Sequence, residues 1–117
     1  MLETLFGFQP KTYTPIQTLT PTELHRRLHM DESIVLVDVR TSEEYGQGHI
    51  DGARLMPLST VLQRSGELPK DRSIVFVCRS GARSHTACEL LTSQGFTNTI
   101  NLVGGMIAWR EAGLPVR

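Results

Sequence analysis

The sequence lacks most of the features that would mark a membrane protein, a metal centre or a disulfide scaffold. No stretch approaches the ~18–20 consecutive apolar residues that a membrane-spanning helix needs. Cysteine is scarce: only Cys78 and Cys88 occur, without a C-x-x-C pair or a zinc-type spacing. On a helix rising about 1.5 Å per residue, Cys88 lies some two turns beyond the segment that holds Cys78, too far for a bridge whose Cα atoms must approach within roughly 7 Å. No disulfide is therefore expected, and free thiols point to a reducing compartment, the cytoplasm. The start, Met1 to Phe8, has neither the basic region nor the full apolar stretch of a signal peptide. An excess of charge is missing too: 12 Lys and Arg balance 12 Asp and Glu. That balance argues against nucleic-acid or membrane-surface binding driven by net charge. There is no internal repeat and no low-complexity tract.

What is present suits one domain. A chain of 117 residues leaves little room for a second, and a domain of this size buries roughly two-thirds of its unfolded surface. Residues 1–14 read as an N-terminal arm whose apolar residues follow no clear period, and residues 15–117 as the domain. Ile16–Leu19 alternates like a strand. Thr20, Pro21 and Glu23 supply an N-cap, a first-position proline and a capping box for a helix running to about Met30. Ile34–Val39 is a near-continuous apolar run, the mark of a parallel strand buried on both faces. Thr41-Ser42-Glu43-Glu44 repeats the cap-and-acid pattern of a short helix, interrupted by Gly46 and Gly48. Further strands are expected at 54–56, 73–77 and 99–103, and helices over 58–63, 84–94 and 106–111. Such alternation predicts a three-layer α/β/α fold with a mostly parallel, five-stranded central sheet.

The segment that organises the chain is Cys78-Arg79-Ser80-Gly81-Ala82-Arg83-Ser84. A buried strand precedes it and a helix follows, so Cys78 sits at the carboxyl edge of the sheet, where ligands of open α/β folds bind. Amide groups of such a turn, backed by a helix N-terminus, favour an anion. A thiolate held there has a depressed pKa. The alternative, a small buried hydrophobe, does not explain two arginines, a glycine and two hydroxyls in the next six positions. Asp38 and Arg40 close the central strand at the same edge, either as an ion pair tying the edge loops or as participants in the chemistry. His49 reads as a loop hydrogen-bonding residue ahead of a proton donor. His25 and His29, four apart, read as solvent-facing histidines ahead of a metal pair, for want of a third ligand. Cys88 and Trp109 read as core.

Several separated features together resemble the single-domain rhodanese-like proteins. They are Asp38-Val39-Arg40 with Glu43-Glu44-Tyr45, then His49-Ile50-Asp51-Gly52-Ala53, the Cys78–Ser84 loop, and Gly104-Gly105 with Trp109, Gly113 and Pro115. The resemblance covers Ile16 to Arg117 and implies a thiosulfate-type sulfurtransferase of rhodanese-like fold. In that reading Cys78 takes the outer sulfur of a small anionic donor, holds it as a persulfide and passes it to a thiophilic acceptor, without any further cofactor. Arg79, Ser80, Gly81, Ala82, Arg83 and Ser84 form the cradle. Arg79 and Arg83 attract the donor anion, Arg83 also pairing with an acid such as Asp38, and Asp38 and Arg40 support the loop. Monomer and homodimer both remain open.

The resemblance also frames the alternatives. Four residues separate Cys78 from Arg83, whereas phosphatases that resemble this fold place five there and make a wider ring. Phosphatase and arsenate-reductase chemistry therefore rank behind sulfur transfer. A carrier or recognition module acting through a partner protein is the other reading.

Overall fold

Local sequence chemistry accounts for most of the elements in the computed structural model, which describes residues 15–30 and 33–117. The expected arm, residues 1–14, lies outside the described residues. The elements run β1 (Gln17–Leu19), α1 (Pro21–Met30), β2 (Val35–Asp38), α2 (Ser42–Gly46), β3 (Arg54–Leu55), two 3₁₀ turns (Leu58–Thr60 and Ser65–Glu67), β4 (Ile74–Val77), α3 (Ala82–Thr92), β5 (Thr99–Leu102) and α4 (Gly105–Glu111). Both capping boxes form. Thr20 N–H donates to Glu23 Oε1 at 2.9 Å while Glu23 N–H donates to Thr20 Oγ1 at 3.2 Å, and Thr41 and Glu44 exchange the same pair of bonds.

The five strands form one sheet in the order β1-β5-β4-β2-β3, and every pairing is parallel. Its centre is β4, buried at all four positions. Successive side chains of a strand face opposite sides, and the core divides accordingly. Ile74 and Phe76 join Val37, Cys78, Ala87, Cys88 and Leu91 under α3. Val75 and Val77 join Leu24 of α1 and Met106 and Trp109 of α4 on the other face. The result is the α/β/α arrangement expected from the alternation of elements.

Two helices differ in their bounds from the sequence reading. The helix expected over 58–63 is only a 3₁₀ turn at Leu58–Thr60, because Ser59, Thr60 and Val61 are weak helix formers and Gly66 follows soon after. The helix after the cysteine loop starts at Ala82 rather than Ser84, since Gly81, at φ 102°, makes the reversal and frees Ala82 to be helical. That helix stops in a Schellman motif: Phe96 N–H reaches Leu91 O at 3.0 Å and Gly95 N–H reaches Thr92 O at 3.0 Å.

Candidate active site

The cysteine loop joins β4 to α3, and the sheet registers bring the ends of β2, β4 and β5 to one edge. Cys78 follows Val77, which pairs with Asp38. Its Sγ accepts from Gly81 N–H at 3.1 Å, from Ser84 N–H at 3.3 Å and stands 3.3 Å from the Ser84 hydroxyl. Burial alone would push the thiol pKa up and is the largest single influence on it. The hydrogen bonds of Ser84, side chain and backbone, and of the Gly81 and Ser80 amides together outweigh it, so the Cys78 thiol is held below its ordinary range.

The loop is braced from behind by α4. Met106 N–H donates to Cys78 O at 2.9 Å and Ile107 N–H to Arg79 O at 3.0 Å. These bonds turn the first two carbonyls of the loop away from the sulfur and leave the amides facing it. Gly105 permits the close approach: a Cβ there would collide with the carbonyl oxygens of Cys78 and Arg79, and its φ is +56°. This support from α4 is not visible in the loop's own sequence, although the Gly104-Gly105 pair is its trace.

The two loop arginines part company. Arg79 is exposed and lines a concavity of about 220 Å³ together with Arg40, Glu44, Met106 and Arg110. Arg83 is instead engaged in a two-pronged pair with Glu44 of α2, Nη1 to Oε1 and Nη2 to Oε2, both at 2.8 Å. That pairing, helped by the Thr41 backbone, pulls the Glu44 carboxyl down to about 2 and raises the Arg83 guanidinium. The expected partner of Arg83, Asp38, is already taken. Arg40, two residues along, reaches back to it through Nε at 2.9 Å and Nη2 at 2.7 Å. It also donates to Gly48 O at 2.8 Å. Both members of the Asp38–Arg40 pair are buried, so the pair ties β2 to the loop at Gly48 as the ion-pair reading anticipated. Its short chain separation wins Asp38 for Arg40 and leaves Arg83 to Glu44.

Asn101 was missed. It lies in β5 in register with Phe76, is 7 % exposed, and contacts Ser84 and Gly81. Its trace in the sequence is a polar amide inside the strand-forming run Thr99–Leu102, which needs hydrogen-bond partners once buried.

The remaining candidates stand apart from the loop. His49 Nδ1–H donates to Tyr45 O at 2.9 Å, and its ring stacks on that of Tyr45, so it is a loop-fixing residue as favoured. His29 Nδ1–H donates to His25 O at 2.8 Å. His25 is only half solvent-facing, packed edge-on against Trp109. No cluster of three metal-ligating side chains occurs among the described residues. Cys88 and Trp109 are core, 0 % and 1 % exposed. Both cysteines are free thiols, and burial above all pushes Cys88 up to about 12. No helix among the described residues is long and apolar enough to cross a membrane.

Residues 20–112 match the rhodanese-like domain family. The chain belongs to that family. It is 47 % identical over 93 residues to a sulfurtransferase of Allochromatium vinosum, covering 80 % of this chain and 87 % of that one. It is 38 % identical over 100 residues to a putative sulfurtransferase of Bacillus subtilis, YtwF, covering 86 % and 96 %. A rhodanese-like domain protein from Staphylococcus aureus superposes with a TM-score of 0.78 at 33 % identity, covering 87 % of this chain and 99 % of that structure. The rhodanese-like fold, expected from the motifs, is the fold of this chain.

Proposed function

We propose that this domain is a sulfurtransferase of the thiosulfate type, carrying sulfane sulfur on Cys78. The observation that carries the reading is the convergence of the Gly81 and Ser84 donors on Cys78 Sγ, in a loop that places four residues between Cys78 and Arg83. The Cys78 thiolate attacks the outer sulfur of the donor. The Sγ–S bond forms, and the donor's S–S bond breaks with its electron pair leaving on sulfite. The persulfide's outer sulfur is anionic, and the amides from Arg79 to Ser84 are the preorganised donors that stabilise it. A thiophilic acceptor then attacks that sulfur and regenerates the Cys78 thiolate, a two-step scheme that predicts ping-pong kinetics.

Within this scheme the arginines divide the work. Arg79, exposed beside the concavity that Arg110 also lines, attracts the donor's sulfonate. Arg83, committed to Glu44, holds the loop. That commitment also weighs against phosphatase chemistry, in which the loop arginine faces the bound phosphate. Cys88, buried in the core, offers no second thiol to resolve the persulfide, so the acceptor comes from outside, as a small thiol or a partner protein. Free thiols and persulfide chemistry suit a reducing compartment such as the cytoplasm. The test is to incubate the protein with thiosulfate, remove the excess and weigh it. A gain of one sulfur atom that disappears in Cys78→Ser supports sulfur transfer; no gain with the thiol accessible to alkylation overturns it.

A further inference from the structure

Ser84 has one hydroxyl proton and two acceptors for it. Its Oγ lies 2.5 Å from Asn101 Oδ1 and 3.3 Å from Cys78 Sγ. The orientation of the Asn101 amide is decided at its other end. Nδ2 donates to Gly81 O at 3.2 Å, and a carbonyl oxygen can only accept, so Oδ1 is the atom that faces Ser84. An amide oxygen also only accepts, so Ser84 is the donor of the 2.5 Å bond. Ser84 is fully buried and Asn101 nearly so, and no solvent is needed to account for either.

We infer that Asn101 is a positioning residue that acts through the Ser84 hydroxyl. Asn101 Oδ1 holds the hydroxyl proton while Cys78 Sγ is uncharged and yields it to Sγ when the sulfur becomes a thiolate. The inference rests on the sulfur-transfer reading for its role in turnover, but not for its existence, since a thiol and a thiolate occur in any case. With Cys78 protonated, the S–H donates to Ser84 Oγ and Ser84 donates onward to Asn101. With Cys78 ionised, the hydroxyl rotates and its O–H points at Sγ. In the persulfide the charge sits on the outer sulfur, Sγ becomes a poor acceptor, and the proton returns to Asn101. On discharge the acceptor's lone pair forms the new bond to the outer sulfur and the Sγ–S bond breaks. The electron pair stays on Sγ, which the rotating hydroxyl then stabilises. The Ser84 O–H bond is never broken; only its direction changes.

The charged groups around this cluster are few. Arg83 and Arg79 belong to the same loop, the Asp38–Arg40 pair comes from β2, and Glu44 of α2 neutralises Arg83. From β5 the group that reaches the cluster is the neutral Asn101 amide, and α4 contributes backbone N–H groups to the loop carbonyls.

The test is a cycle of variants read by the pH dependence of Cys78 alkylation, which requires no sulfur donor. Leucine is close to asparagine in volume and offers no acceptor, so Asn101→Leu leaves the hydroxyl to the sulfur alone. The apparent pKa of Cys78 is expected to fall by about 0.5 to 1 pH unit, the worth of one neutral hydrogen bond. Ser84→Ala raises it, and adding Asn101→Leu to Ser84→Ala produces no further shift. A rise or no change in Asn101→Leu, or an equal shift in both backgrounds, overturns the inference. Asn101→Ala serves as the second variant, with the same expected signs, should the leucine not fold. If alkylation follows this pattern while thiosulfate adds no sulfur, the hydroxyl relationship stands and the sulfur-transfer reading falls.

Discussion

Arg83 and Glu44 meet end to end across 39 residues of sequence, two N–H donors against two carboxylate oxygens at 2.8 Å each. Glu44 also accepts the Thr41 backbone N–H that completes the α2 capping box. One carboxylate thus fixes both the start of α2 and the first turn of α3, the helix into which the cysteine loop leads.

The pair has a defined dependence on pH. Glu44 is brought down from 4.5 to about 2 by Arg83 first and Thr41 second. A carboxyl whose folded pKa is depressed adds stability that is fully present above its unfolded pKa and is lost as pH falls through the folded one. Both side chains are about one-third exposed, so water screens the pair and its share at neutral pH is about 1 kcal/mol or less. Denaturant unfolding of Glu44→Gln should show that deficit at pH 7 and converge with the parent protein between pH 4.5 and 2. A deficit constant with pH would contradict this account.

The buried pair at the end of β2 behaves differently. Asp38→Ala leaves the Arg40 guanidinium, 5 % exposed, without its counter-charge and should cost about 3–5 kcal/mol. Replacing both residues by apolar ones of similar size should cost much less. Unfolding curves of the single and double variants check the contrast.

The two thiols separate by reactivity. Cys88, pushed up to about 12 chiefly by burial, holds far less thiolate at neutral pH than an ordinary thiol. Cys78, whose loop donors outweigh its burial, should alkylate first and continue to do so below the ordinary thiol range. Peptide mapping after iodoacetamide treatment at pH 6 and pH 8 should find Cys78 labelled at both values and Cys88 only after unfolding. Equal labelling of the two would remove the case for an activated Cys78.

Gly105→Ala tests the support from α4. The new Cβ meets the carbonyls of Cys78 and Arg79 at a backbone conformation that L side chains rarely adopt. The strain alone is worth about 1–3 kcal/mol. Because relief requires those carbonyls to move, the variant should lose Cys78 alkylation rate as well as thermal stability. A lowered melting temperature with unchanged Cys78 reactivity would show that α4 does not set the loop geometry.

What could be read without coordinates follows from the range of each interaction. The capping boxes at Thr20 and Thr41, the buried run at Val35–Asp38 and the strand–loop–helix around Cys78 depend on residues within a few positions of one another, and these were legible. The direction of Arg83 was not. Asp38 and Glu44 are both acids at the right edge, and the choice between them turns on Arg40 having already engaged Asp38 from two residues away. Asn101 and the α4 amides were hidden for the same reason. Each reaches the loop only because β5 lies beside β4 in the sheet, a neighbour relation that the order of the chain does not state.

Cys78 is 1 % exposed, and this bears on which bond an acceptor can break. A persulfide has two sulfurs open to attack. Attack at the outer one delivers it to the acceptor; attack at the inner one makes a mixed disulfide with the protein and sheds hydrosulfide. If Cys78 carries the sulfur as proposed, the Gly81 and Ser84 donors packed on Sγ favour attack at the outer atom over attack at Sγ. On that proposed scheme, turnover by a thiol acceptor should yield the acceptor's own persulfide rather than free sulfide or a thiol-blocked enzyme.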